Sequence, residues 1–290
     1  MTQPLFKKIV IFGVGLIGGA FALALRKAGA VGEVVGFGRS ASNLQQAQQL
    51  GLIDRIGQDI PTEVSDADLV LLATPVGQMA ELMARIAPHL GARTLITDGG
   101  STKSDVVRDA YAQLGSKVAQ FVPAHPLAGA EQSGAAAAGA DLYVGKKVVL
   151  TPLPENSAQS VARVQAAWQT CGANIHTLTH AEHDAVFAAV SHLPHLLSFA
   201  LVHDLAQRDN RDLLLSFAAS GFRDFTRIAA SSPEMWRDIC LANREALLKE
   251  VQIYIAELNQ MSTALAAGDA EKLEQTFRTA RELRSGWTEK

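Results

Sequence analysis

The chain has 290 residues, 48% hydrophobic and 19% charged, enough to bury a large core and too apolar to be disordered. Its net charge of -3, with no basic block, argues against a nucleic-acid or membrane-surface partner. Its two cysteines, Cys171 and Cys240, exclude a disulfide framework and fit a reducing cytoplasm.

The opening stretch, MTQPLFKKIV, runs straight into an apolar strand without a cleavable leader, so a cytoplasmic protein is expected. Residues 8–12 (KIVIF) are apolar and β-branched and predict a buried strand. Residues 15–28, rich in Ala and Leu, predict a helix, residues 33–37 a second strand, and residues 42–50 a polar helix. Further short strands are expected at residues 67–73 (ADLVLLA), 95–97, 121–124 and 147–150 (KVVL), with helices between most of them. Such alternation implies a parallel sheet covered on both faces. A helix at residues 158–170 and a strand at 174–178 complete this half. From His180 onward strand signals stop, and helices are expected over residues 180–207, 212–220, 233–259 and 271–283. The most apolar stretch, FAAVSHLPHLLSFALV, is interrupted by His192, Pro194 and His195 and reads as a core helix, not a membrane span. The domain change falls near residue 178, dividing the chain into residues 1–178 and an all-helical part, residues 179–290.

Gly13-Val14-Gly15-Leu16-Ile17-Gly18 is G-x-G-x-x-G, following a predicted strand and opening a predicted helix. That context makes it a dinucleotide-binding fingerprint. Gly13 allows the tight turn, Gly15 lets the backbone approach a pyrophosphate, and Gly18 lets helix and strand pack closely. The helix start at Leu16 and Ile17 then offers free N–H groups to the phosphates. The expected fold is therefore α/β: a Rossmann-type parallel sheet domain followed by an all-helical domain. About 20 residues beyond the turn, an NAD site holds Asp or Glu against the ribose 2′-hydroxyl. Here that place is Gly38, followed by Arg39 and Ser40. A glycine leaves space for a 2′-phosphate, Arg39 can pair with it bidentately, and Ser40 can donate a hydrogen bond. NADP is the expected cofactor, with NAD a weaker substitute; the plainer alternative makes Arg39 a solvated loop residue.

The segment after the fifth strand reads His125-Pro126-Leu127-Ala128-Gly129-Ala130-Glu131-Gln132-Ser133-Gly134. Its Pro and Gly residues place His125 on a rigid loop at the carboxyl edge of the sheet, where ligands bind. The crossover Asp98-Gly99-Gly100-Ser101-Thr102-Lys103 ends at the same edge, so Ser101 is positioned to hold the His125 ring by a hydrogen bond. Thr102 and Asp105 have capping-box spacing. Thr74-Pro75 reaches this edge too, as a cofactor contact or, more simply, as an N-cap with Pro at the first helical position. In the helical half, His192 and His195 lie three apart and share a face. No carboxylate or cysteine completes a metal site there, so no metal is expected. His180 and His183 have the same spacing and read as a solvated helix start. Arg223 and Arg227, four apart in GFRDFTR, share a helical face, and an anionic substrate needs at least one such fork.

GVGLIGG, ATPV, DGGSTK, HPLAGAEQSG, DLYVGKKVVLTP, SHLPH and GFRDFTRIAASSPEMW run in order from Gly13 to Trp236. Together they resemble the prephenate/arogenate (cyclohexadienyl) dehydrogenase family of tyrosine biosynthesis, over most of the chain. HPLAG with SHLPH and DFTRIA is specific to that family, not to Rossmann proteins generally. The resemblance implies oxidative decarboxylation of arogenate or prephenate. A hydride passes from the carbon bearing the ring hydroxyl to the nicotinamide, the ring carboxylate leaves as CO₂, and the ring becomes aromatic. It also implies that neutral His125 accepts a hydrogen bond or proton from that hydroxyl while Ser101 orients it. Arg227 then binds a substrate carboxylate, and His195 and His192 help hold the polar side chain. Arg223 matches a position that is basic in some relatives, and Trp236 walls the pocket or simply packs a helix. A homodimer formed through the helical half is implied as well.

Ala130 stands where relatives often carry a hydroxyl residue, and Gly38 where NAD-preferring relatives carry Asp. With no chorismate-mutase extension and no room for an ACT domain, tyrosine inhibition, if present, would have to act at the active site. The rival enzyme reading, a 3-hydroxyacid dehydrogenase of similar build, needs a catalytic lysine within residues 180–207, which contain none. A third reading, a nucleotide-sensing protein without chemistry, predicts cofactor binding without turnover. No residue in the sequence chooses between prephenate and arogenate.

Overall fold

The computed structural model describes residues 3–129 and 134–287. Five parallel strands, β1 (Phe6–Phe12), β2 (Val31–Phe37), β3 (Arg55–Ile56), β4 (Leu69–Leu72) and β5 (Leu95–Asp98), form a sheet in the order β3-β2-β1-β4-β5. Helices α1 (Leu16–Lys27), α2 (Ala41–Gln49), α3 (Ile60–Ser65), α4 (Met79–Ile86) and α5 (Ser104–Leu114) follow the strands in turn. Val10 of β1 pairs with Val35 on one side and Val70 on the other. Sheet growth therefore reverses about β1, and the crevice beyond the carboxyl ends of β1 and β4 is the switch point where ligands bind.

Alternate strand residues face opposite sides. Ile9, Ile11, Leu69 and Leu71 pack with Phe21 and Leu25 of α1 and with Trp168. Val10, Phe12, Val70 and Leu72 pack with Met79 and Met83 of α4 and Val106 and Val107 of α5. Each such large side chain contributes about 1.5–3 kcal/mol by leaving water. Both faces being covered explains why KIVIF and LVLL are apolar throughout rather than alternating.

The single sheet expected from the sequence is in fact two. β6 (Ala124–Pro126), β7 (Lys147–Leu150) and β8 (Asn174–Thr177) form a second, three-stranded sheet, antiparallel between β6 and β7 and parallel between β7 and β8. The strand expected at 121–124 is displaced to Ala124. Phe121 makes only an isolated bridge to Ile96, and Val122 is tied to β5 by Val122 N–H to Ile96 O and Thr97 Oγ1 to Val122 O. The chain then leaves β5 and pairs with β7, so His125 lies on a strand opposite Val149, not on a loop. Helix α6 (Ala158–Thr170) joins β7 to β8, its start capped by Ser157.

Helix α7 (His180–Phe187) opens with a complete Thr179–Glu182 capping box. It continues through a π turn, Ala188–His192, into α8 (Leu193–Ala206), then come α9 (Arg211–Ser216), α10 (Ser220–Thr226) and α11 (Pro233–Ala242). The one helix expected over 233–259 is two, because the chain breaks at Asn243 before α12 (Arg244–Ala267). Two compact units result, one reaching Asn243 and the other beginning at Arg244, where α12 packs with α13 (Ala270–Gly286) across a turn at Gly268 with φ +67. FAAVSHLPHLLSFALV is helical as expected, and the single chain covers it only in part. The run His180–Ala206 passes for a membrane span by length and composition, and only 28% of its most apolar window is buried. Apolar residues ring this helix, so covering one side leaves Val186, Val190 and Val202 exposed.

Candidate active site

The phosphate turn follows directly from its glycines. Gly13 takes φ +96, and a Cβ there would lie 2.5 Å from the Ala73 carbonyl oxygen. A Cβ on Gly18 would lie 2.3 Å from the Gly13 oxygen, so close packing of α1 on β1 demands glycine. A Cβ on Gly15, by contrast, would meet no protein atom within 4 Å, leaving its face of the backbone open for a ligand. Gly15 caps α1 without a side-chain bond, and no acidic residue occupies the first turn, so the N–H groups around Leu16 and Ile17 and their positive potential suit an anion. Thr74, whose backbone abuts Gly13, has a buried hydroxyl with no partner among the described residues. Pro75 is the cap of a short 3₁₀ turn, Val76–Gln78, and not the first residue of a helix as expected. An open glycine face, a free helix start and an orphaned hydroxyl fit the pyrophosphate of a dinucleotide.

Beyond β2, Gly38, Arg39 and Ser40 are all exposed. Ser40 is the N-cap of α2: its Oγ accepts the Asn43 N–H at 3.2 Å and lies 2.9 Å from Ser42 Oγ. Its hydroxyl is thus shared between capping and any ligand. Asn43 Nδ2 donates to Val14 O at 2.8 Å and its Oδ1 accepts from Ala135 N–H at 3.0 Å, tying the phosphate turn to the segment after His125. Ala130 lies outside the described residues.

His125 is buried against Phe187 and sits at one end of a hydrogen-bonded line. Its Nδ1 is 2.8 Å from His183 Nε2, and His183 Nδ1 is 2.8 Å from Asp184 Oδ1. Among the described residues the expected Ser101 bond is absent: Ser101 is half-buried, and the ring is held by His183. His183 is therefore fully buried and not part of a solvated helix start, whereas His180 is exposed. The Asp184 carboxylate accepts the N–H groups of Lys103 at 2.9 Å and Ser104 at 2.7 Å. It caps α5 from another helix and takes the place of the capping box expected at Thr102 and Asp105. Beneath it, buried Asp98 binds Lys103 Nζ and accepts the N–H groups of Gly100 and Ala124, both at 2.9 Å, fixing the residue next to His125.

Burial holds His125 well below the usual histidine range, reinforced by His183, Lys103 and His192, so the ring is neutral at pH 7. Burial also lowers His183, against the pull of the Asp184 bond. Burial opposes ionisation of Asp184, yet hydrogen bonds from His183 and Ser104 prevail and bring it to about 2.

A second group adjoins the first. His192 ends the π turn, is buried, and is lowered by burial to about 4. Asn243 Nδ2 lies 3.1 Å from His192 Nδ1 and 2.8 Å from the Asp184 carbonyl oxygen, joining the two groups. His195 donates from Nδ1 to Ser191 O at 2.9 Å and stacks on Trp236 with centroids 3.6 Å apart. Trp236 is buried with its indole N–H unpartnered among the described residues. Burial lowers His195, and the positive charge of Arg227 lowers it further. Arg223 is exposed on α10. Among the described residues no group of three or more His, Cys, Asp or Glu side chains could hold a metal ion.

His183, Asp184 and Asn243 escaped sequence reasoning. Their partners lie 58, 80 and 51 residues away, so no local spacing announces them. The interruption of an apolar helix by SHLPH was the one signal available, and it marks the π turn that delivers His192.

Two family descriptions match in succession: "Prephenate dehydrogenase, nucleotide-binding domain" over residues 21–177 and "Prephenate dehydrogenase, dimerization domain" over residues 179–279. The chain is similar to a prephenate dehydrogenase of Bacillus subtilis (strain 168), with 38% identity over 281 residues, 96% of this chain and 75% of that relative. It is similar to the crystal structure of prephenate dehydrogenase from A. aeolicus in complex with hydroxyphenyl propionate and NAD+, at a TM-score of 0.90, 33% identity and 98% of both chains. A Synechocystis arogenate dehydrogenase follows at a TM-score of 0.82 and 30% identity, over 97% of this chain and 100% of that one.

Proposed function

This chain belongs to the prephenate dehydrogenase family, and on that premise we propose that it catalyses oxidative decarboxylation of prephenate, arogenate or both. The nicotinamide dinucleotide, when bound, accepts the hydride from the carbon bearing the ring hydroxyl. The observation that carries the reading is a neutral, buried His125 held by His183 next to a glycine turn suited to a pyrophosphate. Neutral His125 accepts the hydroxyl proton on its remaining ring nitrogen. Ser101, on the β5–α5 connection, contacts the reacting end of the substrate or His125 Nε2. Arg227 binds a substrate carboxylate, with His195, His192 and Trp236 forming the wall around the side chain and Arg223 at its margin. Aromatisation drives the reaction, so positioning and polarisation suffice.

NADP is the preferred cofactor in this reading, with NAD a weaker substitute. Support comes from Gly38 in place of a carboxylate and from the exposed Arg39 beside it. Residues 1–178 hold the dinucleotide and residues 179–290 the substrate side chain and the partner subunit. The protein is read as a cytoplasmic homodimer: both cysteines are unpaired, and apolar residues stand exposed on α8 and α12. Purified protein given prephenate and arogenate in turn, with each cofactor, should reduce NADP in at least one pairing. Absence of reduction in all four pairings refutes the proposal.

A further inference from the structure

The line His125–His183–Asp184 has an unambiguous polarity. The Asp184 carboxylate accepts two backbone N–H groups at the start of α5, and an ionised carboxylate has no proton to give. The proton between His183 Nδ1 and Asp184 Oδ1 therefore sits on His183. In a neutral imidazole the other nitrogen is then an acceptor, so His183 Nε2 accepts a hydrogen bond from His125 Nδ1–H. His125 is left with a bare Nε2. The same logic fixes His192 in the opposite sense. The Asp184 carbonyl oxygen can only accept, so Asn243 presents its amide nitrogen to it and to His192 Nδ1. His192 thus keeps its proton on Nε2 as a donor.

We infer that His183 and Asp184 are positioning residues for the proposed reaction, holding His125 in the tautomer whose Nε2 receives the ring-hydroxyl proton and stabilising the imidazolium that results. The inference rests on that reaction for its chemistry and on the hydrogen-bond polarity for its geometry. In the reaction the hydroxyl O–H bond breaks toward His125 Nε2 as the hydride, with its electron pair, leaves the same carbon for the nicotinamide. The C–O bond becomes a carbonyl. Release of CO₂ returns the electron pair of the broken C–C bond to the ring and carbonyl oxygen, which takes the proton back from His125. No net proton is lost, so the site has to store a positive charge briefly rather than export it. The charged and titratable groups facing His125 and His183 are Lys103 and Asp98 from β5 and its exit, Asp184 from α7, and neutral His192 from the π turn. Lys103 is paired with Asp98, which leaves the Asp184 carboxylate as the anion answering a charged His125. Phe187, with ring centroids 4.9 Å from His125 and 4.4 Å from His183, covers the line.

The test uses the whole protein and two readouts. Imidazole nitrogen NMR reports tautomers without turnover: His125 is expected protonated on Nδ1, and finding its proton on Nε2 would overturn the inference. The second readout compares His183→Leu with His183→Gln, since glutamine retains an acceptor toward His125 and a donor toward Asp184. His183→Leu should lower kcat on the order of 100-fold while the KM values of cofactor and substrate hold. Losing the anion's support lowers the His125 pKa, so the acid limb of kcat/KM should move to lower pH. His183→Gln should recover most of kcat. Equal loss in both variants with an unmoved acid limb would make the line purely structural and defeat the proposal, as would an unaffected leucine variant. If the native protein turns over neither substrate, the proposed reaction fails, and the tautomer alone decides the polarity.

Discussion

At Gly38, which is exposed, an added Cβ would meet Leu44 at 3.4 Å, an ordinary contact, so a side chain can start there without moving the backbone. Space is therefore not what excludes an acid from this position, and cofactor choice reduces to charge. Gly38→Asp should lower kcat/KM for NADP by about 100-fold or more, since like charges brought together cost several kcal/mol, while sparing or improving NAD. Arg39→Ala removes hydrogen bonds to a charged group worth about 1.5–3 kcal/mol, so NADP should weaken roughly 10- to 100-fold and NAD hardly at all. Steady-state kinetics with both cofactors reads the two variants together. Equal weakening of both cofactors by Arg39→Ala would remove Arg39 from any role in the choice. Ser40 is expected to contribute less to the proposed NADP contact than its sequence position promises, because its hydroxyl already caps α2.

Among the elements, the β1–α1 junction allows no side chain at Gly13 or Gly18. A methyl group on Gly18 would press to 2.3 Å from the Gly13 carbonyl oxygen and 2.8 Å from Ile11 Cγ2, and the backbone oxygen cannot step aside. Gly18→Ala should push the start of α1 away from β1, destabilise the protein by roughly 1–3 kcal/mol, and weaken cofactor binding. Thermal unfolding and fluorescence titration with NADPH measure the two effects. Retained affinity and an unchanged melting temperature would show that α1 is not held as closely as described. The π turn Ala188–His192 acts at the same scale, because one extra residue in the helix delivers His192 inward where a regular α-helix would place it differently. Helix α5 owes its start to Asp184 of α7, so two elements far apart in sequence share one carboxylate.

For the whole molecule, the buried histidines set the response to acid. His125, His183 and His192 all have folded-state pKa values below the ordinary histidine value of 6.5, with His192 at about 4. Between those values and 6.5 the unfolded chain binds more protons than the folded one, so stability falls as pH drops. Each ring contributes up to about 1.4 kcal/mol per pH unit in that window. Asp184, lowered from 3.8 to about 2, extends the loss below 3.8, while Asp105, raised by burial, offsets part of it. Urea unfolding should therefore show a midpoint that declines steadily from about pH 6.5 to about pH 4; a flat profile would mean these rings are not held neutral. The parallel sheet, the glycine turn and the all-helical second half were legible beforehand because each is written in local periodicity: KIVIF before G-x-G-x-x-G, and helical spacing after His180. His125 was legible as a candidate, but its strand was not, since β6 exists only through pairing with β7. His183 looked like a solvated helix start because burial is a property of neighbours, not of spacing. The sequence by itself determined the strand–helix alternation of the first half, the phosphate turn and the missing acid at Gly38, all consequences of residue type and adjacency. Only the tertiary structure decided which ring nitrogen of His125 is free, because that depends on a carboxylate reached through another histidine and anchored on a helix start far along the chain.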